Sequence, residues 1–143
     1  MTVPVWMLLA FATWTVVLLL ATVGVYRWSR ILTGRVAIKD FRADQVEGDD
    51  WYKRAMRAHA NCVENLPVFG AIVLALYAGD VRGSLVSWLC VAVVVARVAQ
   101  SLIHVCLVPN NTVVSVRFTF FFVQLASFLT LIVMIAQQVE LTW

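Results

Sequence analysis

Charge is scarce in this sequence: Asp, Glu, Lys and Arg make up 13% of its 143 residues, hydrophobic residues make up 62%, and the mean hydropathy is +0.88. Soluble domains carry about 25% charged and roughly 45–50% apolar residues, so the balance excludes a soluble fold and indicates a membrane protein. The length suits one domain with a few spans of about 20 residues each, and a separate soluble domain does not fit. Potential metal and redox ligands are equally rare. His59 and His104 belong to no HExxH motif or carboxylate–histidine cluster, and Cys62, Cys90 and Cys106 form no CxxC pair. A zinc site and a disulfide framework are therefore not indicated, and the cysteines read as small core hydrophobes. A Gly-rich phosphate loop and a nucleophilic triad are missing too. The net charge of +3 follows the helix ends rather than forming the footprint of a nucleic-acid binder. No basic n-region precedes the first apolar stretch, which at residues 3–26 is too long for a signal-peptide core, so it is expected to remain as a span.

Four apolar segments follow, at about 3–28, 52–79, 84–107 and 112–138, and predict an all-α membrane protein built as a four-transmembrane-helix bundle. The first is free of charge up to Arg27, with Trp6, Tyr26 and Trp28 where interfacial aromatics belong. A polar loop, about 29–51, carries Arg30, Arg35, Lys39 and Arg42 with an acidic patch of Asp40, Asp44, Glu47, Asp49 and Asp50. Its "RADQVEGDD" portion has almost nothing apolar to bury and reads as mobile. The second segment begins polar and turns apolar at Leu66, with Pro67 expected to kink it by leaving the carbonyl of Val63 without a donor. "AGDVRG" (78–83) is a short turn, and "PNN" (109–111) ends the third segment. Eight of the eleven Lys and Arg residues lie between 27 and 57, which places the long loop and the 108–116 connection in the cytoplasm. Arg27, Arg30 and Arg42 read as orientation signals and headgroup contacts.

The polar residues inside these segments form a pattern. Arg54, Arg57, Asn61 and Glu64 recur every three or four positions and share one stripe of the second helix; Arg97, Gln100 and His104 do the same on the third. A charge near the bilayer centre costs about 2.5–3.5 kcal/mol, so Glu64 and Arg97 must face the bundle interior, a partner or a wet cavity. A purely structural account pairs Glu64 with Arg97 and Asn61 with Gln100 as interhelical glue. Two parallel stripes joined by Arg117, all opening toward one side, point further, to a site for an anionic polar ligand. His59 lies off the stripe, and most of the Phe118, Phe120, Phe121 and Phe122 run reads as packing against lipid.

"RAHANCVENLPVF" (57–69), followed by "ARVAQSLIH" (96–104) and "RFTFFF" (117–122), resembles the MAPEG family of membrane-associated proteins in eicosanoid and glutathione metabolism. The likeness covers essentially the whole chain. It implies a homotrimer of four-helix subunits with glutathione, as co-substrate, bound between neighbours near the cytoplasmic face. By motif position Arg57, Asn61 and Glu64 correspond to glutathione-contacting or site-shaping residues and Arg97 to a buried arginine. Gln100 and His104 extend that set, and Arg117 matches an arginine that stabilises the glutathione thiolate. Arg35 and Lys39 resemble basic residues that reach a neighbour's ligand. Ala60 stands where eicosanoid-making members carry arginine, and Gln100 and His104 where several carry histidine and tyrosine. The connection before Arg117 is lengthened by "NNTV". A specialised prostaglandin or leukotriene synthase is not indicated.

The implied activity is glutathione transfer or glutathione-dependent peroxide reduction on a lipophilic small-molecule substrate that arrives through membrane lipids. Two other classes stay open. A small multidrug-type carrier would use Glu64 as its membrane carboxylate, although the surrounding arginines disfavour cationic cargo. A non-catalytic protein binding a lipid or a partner would keep the scaffold without turnover. The loop-poor format, with no retention signal in "ELTW", suggests a bacterial inner membrane.

Overall fold

A computed structural model describes residues 1–42 and 46–140, apart from the side chains of Val139 and Glu140; Asp44 of the acidic patch and the "LTW" end lie outside the described residues. Four long helices account for nearly all of it. Helix α1 runs Val3–Leu32, α2 Asp50–Ala78, α3 Ser84–Cys106 and α4 Asn111–Glu140, and each is long and apolar enough to cross a membrane. No strand occurs among the described residues.

Local chemistry sets the helix ends. Pro4 sits in the first turn of α1, where a missing N–H costs nothing. α1 extends past the expected boundary at residue 28 through a wider π-helical stretch, Leu19–Gly24, where the Thr22 hydroxyl donates to the Leu18 carbonyl at 2.6 Å and competes for an acceptor of the regular ladder. α2 runs unbroken through Pro67. Between α2 and α3 the chain reverses over Gly79–Gly83, with Asp80 at φ 49° and Arg82 clamped to the Asp80 carboxylate at 2.6 Å. Pro109 cannot continue α3, and the Asn110 side chain then caps α4 by accepting from the N–H of Val113 at 2.8 Å.

The outward faces are apolar, as lipid requires: Leu74, Trp88 and Val95 are all exposed. Inside, Phe69 of α2 bridges Phe11 of α1, at 5.7 Å between ring centroids, and Phe128 of α4, at 6.0 Å. Ala55, Ala58 and Cys62 bury small side chains that let α2 approach its neighbours closely. Cys90 is buried as expected of a small hydrophobe, whereas Cys106 is exposed because α3 ends there.

The basic end of α1 departs from its reading as a simple collar. Tyr26 is buried and stacks on Tyr52 at 4.1 Å. Arg27 donates to the Tyr52 hydroxyl at 2.7 Å and lies over the rings of Phe41 and Tyr52. Arg30 lies over Tyr26 at 4.4 Å and bonds Asp49 at 2.8 Å. Two arginines read as orientation signals thus also fasten the long loop to α1 and α2, since a guanidinium on an aromatic face keeps its solvent edge. The loop's return is anchored as well: Val46 packs against the core, and the N–H of Asp49 donates to the Tyr26 hydroxyl at 3.2 Å.

Gly48 makes that return possible. Its φ of 132° belongs to glycine, and a Cβ there would sit 2.6 Å from the Tyr26 hydroxyl. Gly48→Ala is expected to destabilise the protein by about 1–3 kcal/mol, read as a lower Tm in detergent; Gly34→Ala, with nothing within 4 Å of its added Cβ, isolates the backbone cost from the steric one and should lower it less.

Candidate polar site in the membrane

The second-helix stripe divides between two neighbouring cavities. Asn61, Glu64 and Asn65 of α2 line a cavity of about 230 Å³ together with Arg97 and Gln100 of α3 and Arg117, Phe118 and Phe121 of α4. Arg54 and Arg57 line a second one of about 260 Å³ at the start of α2. Of the residues singled out in the sequence, the structure thus gathers Asn61, Glu64, Arg97, Gln100 and Arg117 around one space. Arg57 lies outside that lining but near enough for its charge to act on Arg117. His104 is buried and lines neither cavity, within reach of the charges of Arg54, Arg57 and Arg117. Arg35 and Lys39 are exposed in the α1–α2 connection and line neither.

Arg97 is the unusual member. It is 2% exposed, its guanidinium stands 5.7 Å from the Phe11 ring, and its Nε and Nη2 are shielded from solvent with no acceptor among the described residues. Nε of Arg117 is in the same condition. A buried donor without a partner costs about 1–3 kcal/mol, and more when charged. Glu64, the obvious partner, is exposed on the protomer and makes no ion pair with Arg97 among the described residues, although the two attract at longer range. The structural account is therefore corrected: Glu64 and Arg97 share a cavity without closing on each other.

The proposed Asn61–Gln100 glue does not form either. Gln100 is taken by a residue that the sequence reading passed over. Nε2 of Gln124, a 1% exposed amide on α4, donates to Gln100 Oε1 at 3.0 Å and to the Phe120 carbonyl at 3.0 Å, and Gln100 Nε2 donates on to the backbone carbonyl of Arg117 at 3.3 Å. This relay fixes α3 against α4 at the level where Arg117 enters the cavity. The signal was present: Gln124 is an isolated amide in the apolar run of α4, seven positions and two turns beyond Arg117. Ser101 adds a smaller contact, donating to the Arg97 carbonyl at 2.8 Å with its oxygen 3.4 Å from the Cys62 sulfur.

Chemically, the lining sets two guanidinium groups against one carboxylate, with amides between them and Phe118 and Phe121 at the rim. Such a lining receives an anion that also carries peptide-like and cationic groups. Phe118 and Phe121 are both exposed, so the cavity opens where the protomer meets lipid or another chain. Among the described residues no three His, Cys, Asp or Glu side chains are grouped to hold a metal.

The relay makes a direct prediction. Gln124→Leu leaves Gln100 Oε1 without its donor and should cost about 0.6–1.7 kcal/mol, the span of interhelical hydrogen bonds in a bilayer, measured as a lowered midpoint of unfolding in detergent.

The model of the MAPEG family matches residues 3–137. No curated protein and no solved structure matches at a significant level. With nearly the whole chain matched and four apolar helices formed, the protein belongs to the MAPEG family of integral membrane proteins, whose members include glutathione transferases and peroxidases as well as non-catalytic proteins.

Proposed function

We propose that the protein binds glutathione in the Asn61–Glu64–Arg97–Arg117 cavity and activates its thiol against a lipophilic electrophile or hydroperoxide. The observation that carries this reading is the pair of guanidinium groups of Arg97 and Arg117, which line one cavity and of which three shielded nitrogens have no acceptor among the described residues. Glutathione supplies what they lack: two carboxylates, a thiol that ionises, and an ammonium group for Glu64. In this reading Arg57 holds a carboxylate, Asn61 bonds the peptide backbone, Arg97 neutralises buried negative charge, and Arg117 stands at the sulfur. Gln100 positions Arg117 through its backbone, and His104 supports the wall behind it.

A thiol has a pKa near 8.5, and lowering it by about two units needs roughly 2.7 kcal/mol of preferential thiolate stabilisation. A guanidinium in a partly dehydrated pocket supplies that, because its attraction for an anion grows as the local dielectric falls. In transfer, the sulfur of the thiolate forms a bond to the electrophilic carbon and the leaving group departs with its electron pair. In peroxide reduction, the sulfur attacks one peroxide oxygen and the O–O bond breaks. The alkoxide takes a proton, and the resulting sulfenic acid condenses with a second glutathione to a disulfide and water. Phe118 and Phe121 form the apolar approach for the substrate.

The cavity of about 230 Å³ falls below the ~300–1,000 Å³ of a complete small-molecule site, and Glu64 is exposed at membrane depth on the protomer. Both features favour a site completed by a neighbouring subunit, with Arg35 and Lys39 reaching across, in the homotrimer that the family likeness implies. We place its opening on the cytoplasmic side, in a bacterial inner membrane. A second reading, glutathione binding without turnover, is favoured by one observation: the Gln100 amide is committed to Gln124 and to the Arg117 backbone and takes no part in proton transfer.

Titrating glutathione into the purified protein while following thiolate absorbance tests the reading. The expected result is a saturable thiolate signal with an apparent pKa of about 6.5, so that conjugation rates rise with pH up to that value and then level off. Arg117→Ala should lose the signal and lower the rate at neutral pH by at least about tenfold. Absence of binding at millimolar glutathione, or an unchanged signal in Arg117→Ala, removes the proposal; binding without turnover across a broad electrophile panel selects the second reading.

A further inference from the structure

The second cavity has its own chemistry. It is lined by Asp50, Lys53, Arg54 and Arg57 of α2 and by Val108 and Pro109 just beyond α3. Three cations face one carboxylate, and that carboxylate is 89% exposed and only 3.8 Å from Lys53. Arg54 makes no ion pair among the described residues, and its Nε is shielded from water without an acceptor. Three cations gathered on one wall repel one another, so the arrangement is uphill unless an anion sits in it.

Depth identifies the anion. Trp51, one residue into α2, is 37% exposed and lies 6.4 Å from the Tyr26 ring, and Trp28, two residues along α1, is 60% exposed. Tryptophans at the end of a span mark the headgroup level, so the cavity opens at the depth of the lipid phosphates. Its apolar wall includes Val108, 72% exposed, beside which a glycerol backbone and the first acyl carbons can lie. Basic pockets between spanning helices recognise acidic headgroups in this way.

We propose that Lys53 and Arg54, with Arg57 at the inner edge and Val108–Pro109 as the apolar wall, form a binding site for the phosphate of an anionic phospholipid. It borders the thiol cavity at Arg57, but Lys53 and Arg54 define it, and it does not rest on the function proposed above. The phosphate is the recognised group, and Arg54 its closest partner.

The test adds phosphatidylglycerol, phosphatidylcholine or inorganic phosphate to the delipidated protein in neutral detergent and follows Tm and lipid retention by native mass spectrometry. The expected result is a saturable rise in Tm and retained lipid with phosphatidylglycerol alone. The Lys53→Gln, Arg54→Gln double variant should weaken binding at least about tenfold, while Arg54→Lys, which keeps the charge, should bind within about threefold of the wild type, and Arg82→Gln at the far end should bind as the wild type does. Equal effects of the two lipids overturn the proposal without any variant. Stabilisation by millimolar phosphate, with displacement of the lipid, assigns the site to a soluble phosphate and overturns the lipid assignment. Displacement of phosphatidylglycerol by glutathione shows that the cations belong to the thiol cavity and overturns the separate site. Thiolate absorbance in the same samples reports the other cavity independently, so failure of one reading is distinguishable from failure of the other.

Discussion

An arginine placed among apolar side chains needs a counter-charge or a hydrogen-bond acceptor, and Arg97 makes no ion pair among the described residues. Its guanidinium rests against Phe11, and two of its nitrogens lack acceptors. The rest of the polar architecture is arranged about that group: Ser101 holds the turn that carries it, Gln100 lies one turn away, and Glu64 and Arg117 share the space it faces. Glu64 and Arg97 occupy the same cavity without closing on each other. In the proposed reading, the open pair is held ready for a ligand.

Two sets of contacts keep the cavity open. On the apolar side, Phe11, Phe69 and Phe128 tie three helices together. At the basic end, the stacked Tyr26 and Tyr52 rings, with Arg27 and Arg30 laid over them, fix the exit of α1 against the entry of α2. The Gln124–Gln100–Arg117 relay then sets the register of α3 and α4 between these ends. An amide suits this task in a membrane: Gln100 donates and accepts at once, without the desolvation cost of a charge.

Much of this was legible in the residues. Span length and hydropathy announce four helices, and the three-residue spacing of Asn61–Glu64 and of Arg97–Gln100 puts each pair on one face, since helical periodicity is local geometry. What the spacing does not contain is distance across helices. It pointed to a Glu64–Arg97 ion pair and an Asn61–Gln100 bond, and neither forms among the described residues, because the relative rotation of α2 and α3 is set by packing such as that of Cys62 beside Ser101. Gln124 was passed over because a lone amide in an apolar run has no local pattern, and its meaning appears only once α3 lies beside it. The contacts of Tyr26 and Arg27 with Tyr52 and the loop were not legible for a related reason: aromatics and arginines at a span's end suit the headgroup region, and only the return of the chain through Gly48 brings their partners to them.

The account stands or falls on what satisfies Arg97. The most direct measurement is a structure of the assembled protein in a lipid bilayer with glutathione present. The account predicts ligand oxygen or sulfur within hydrogen-bond distance of Arg97 Nη2 and Arg117 Nε, with Glu64 turned toward the ligand and covered by a neighbouring subunit. Glu64 swung onto Arg97 in a direct ion pair, with the cavity between α2, α3 and α4 collapsed or filled only by acyl chains, would contradict it.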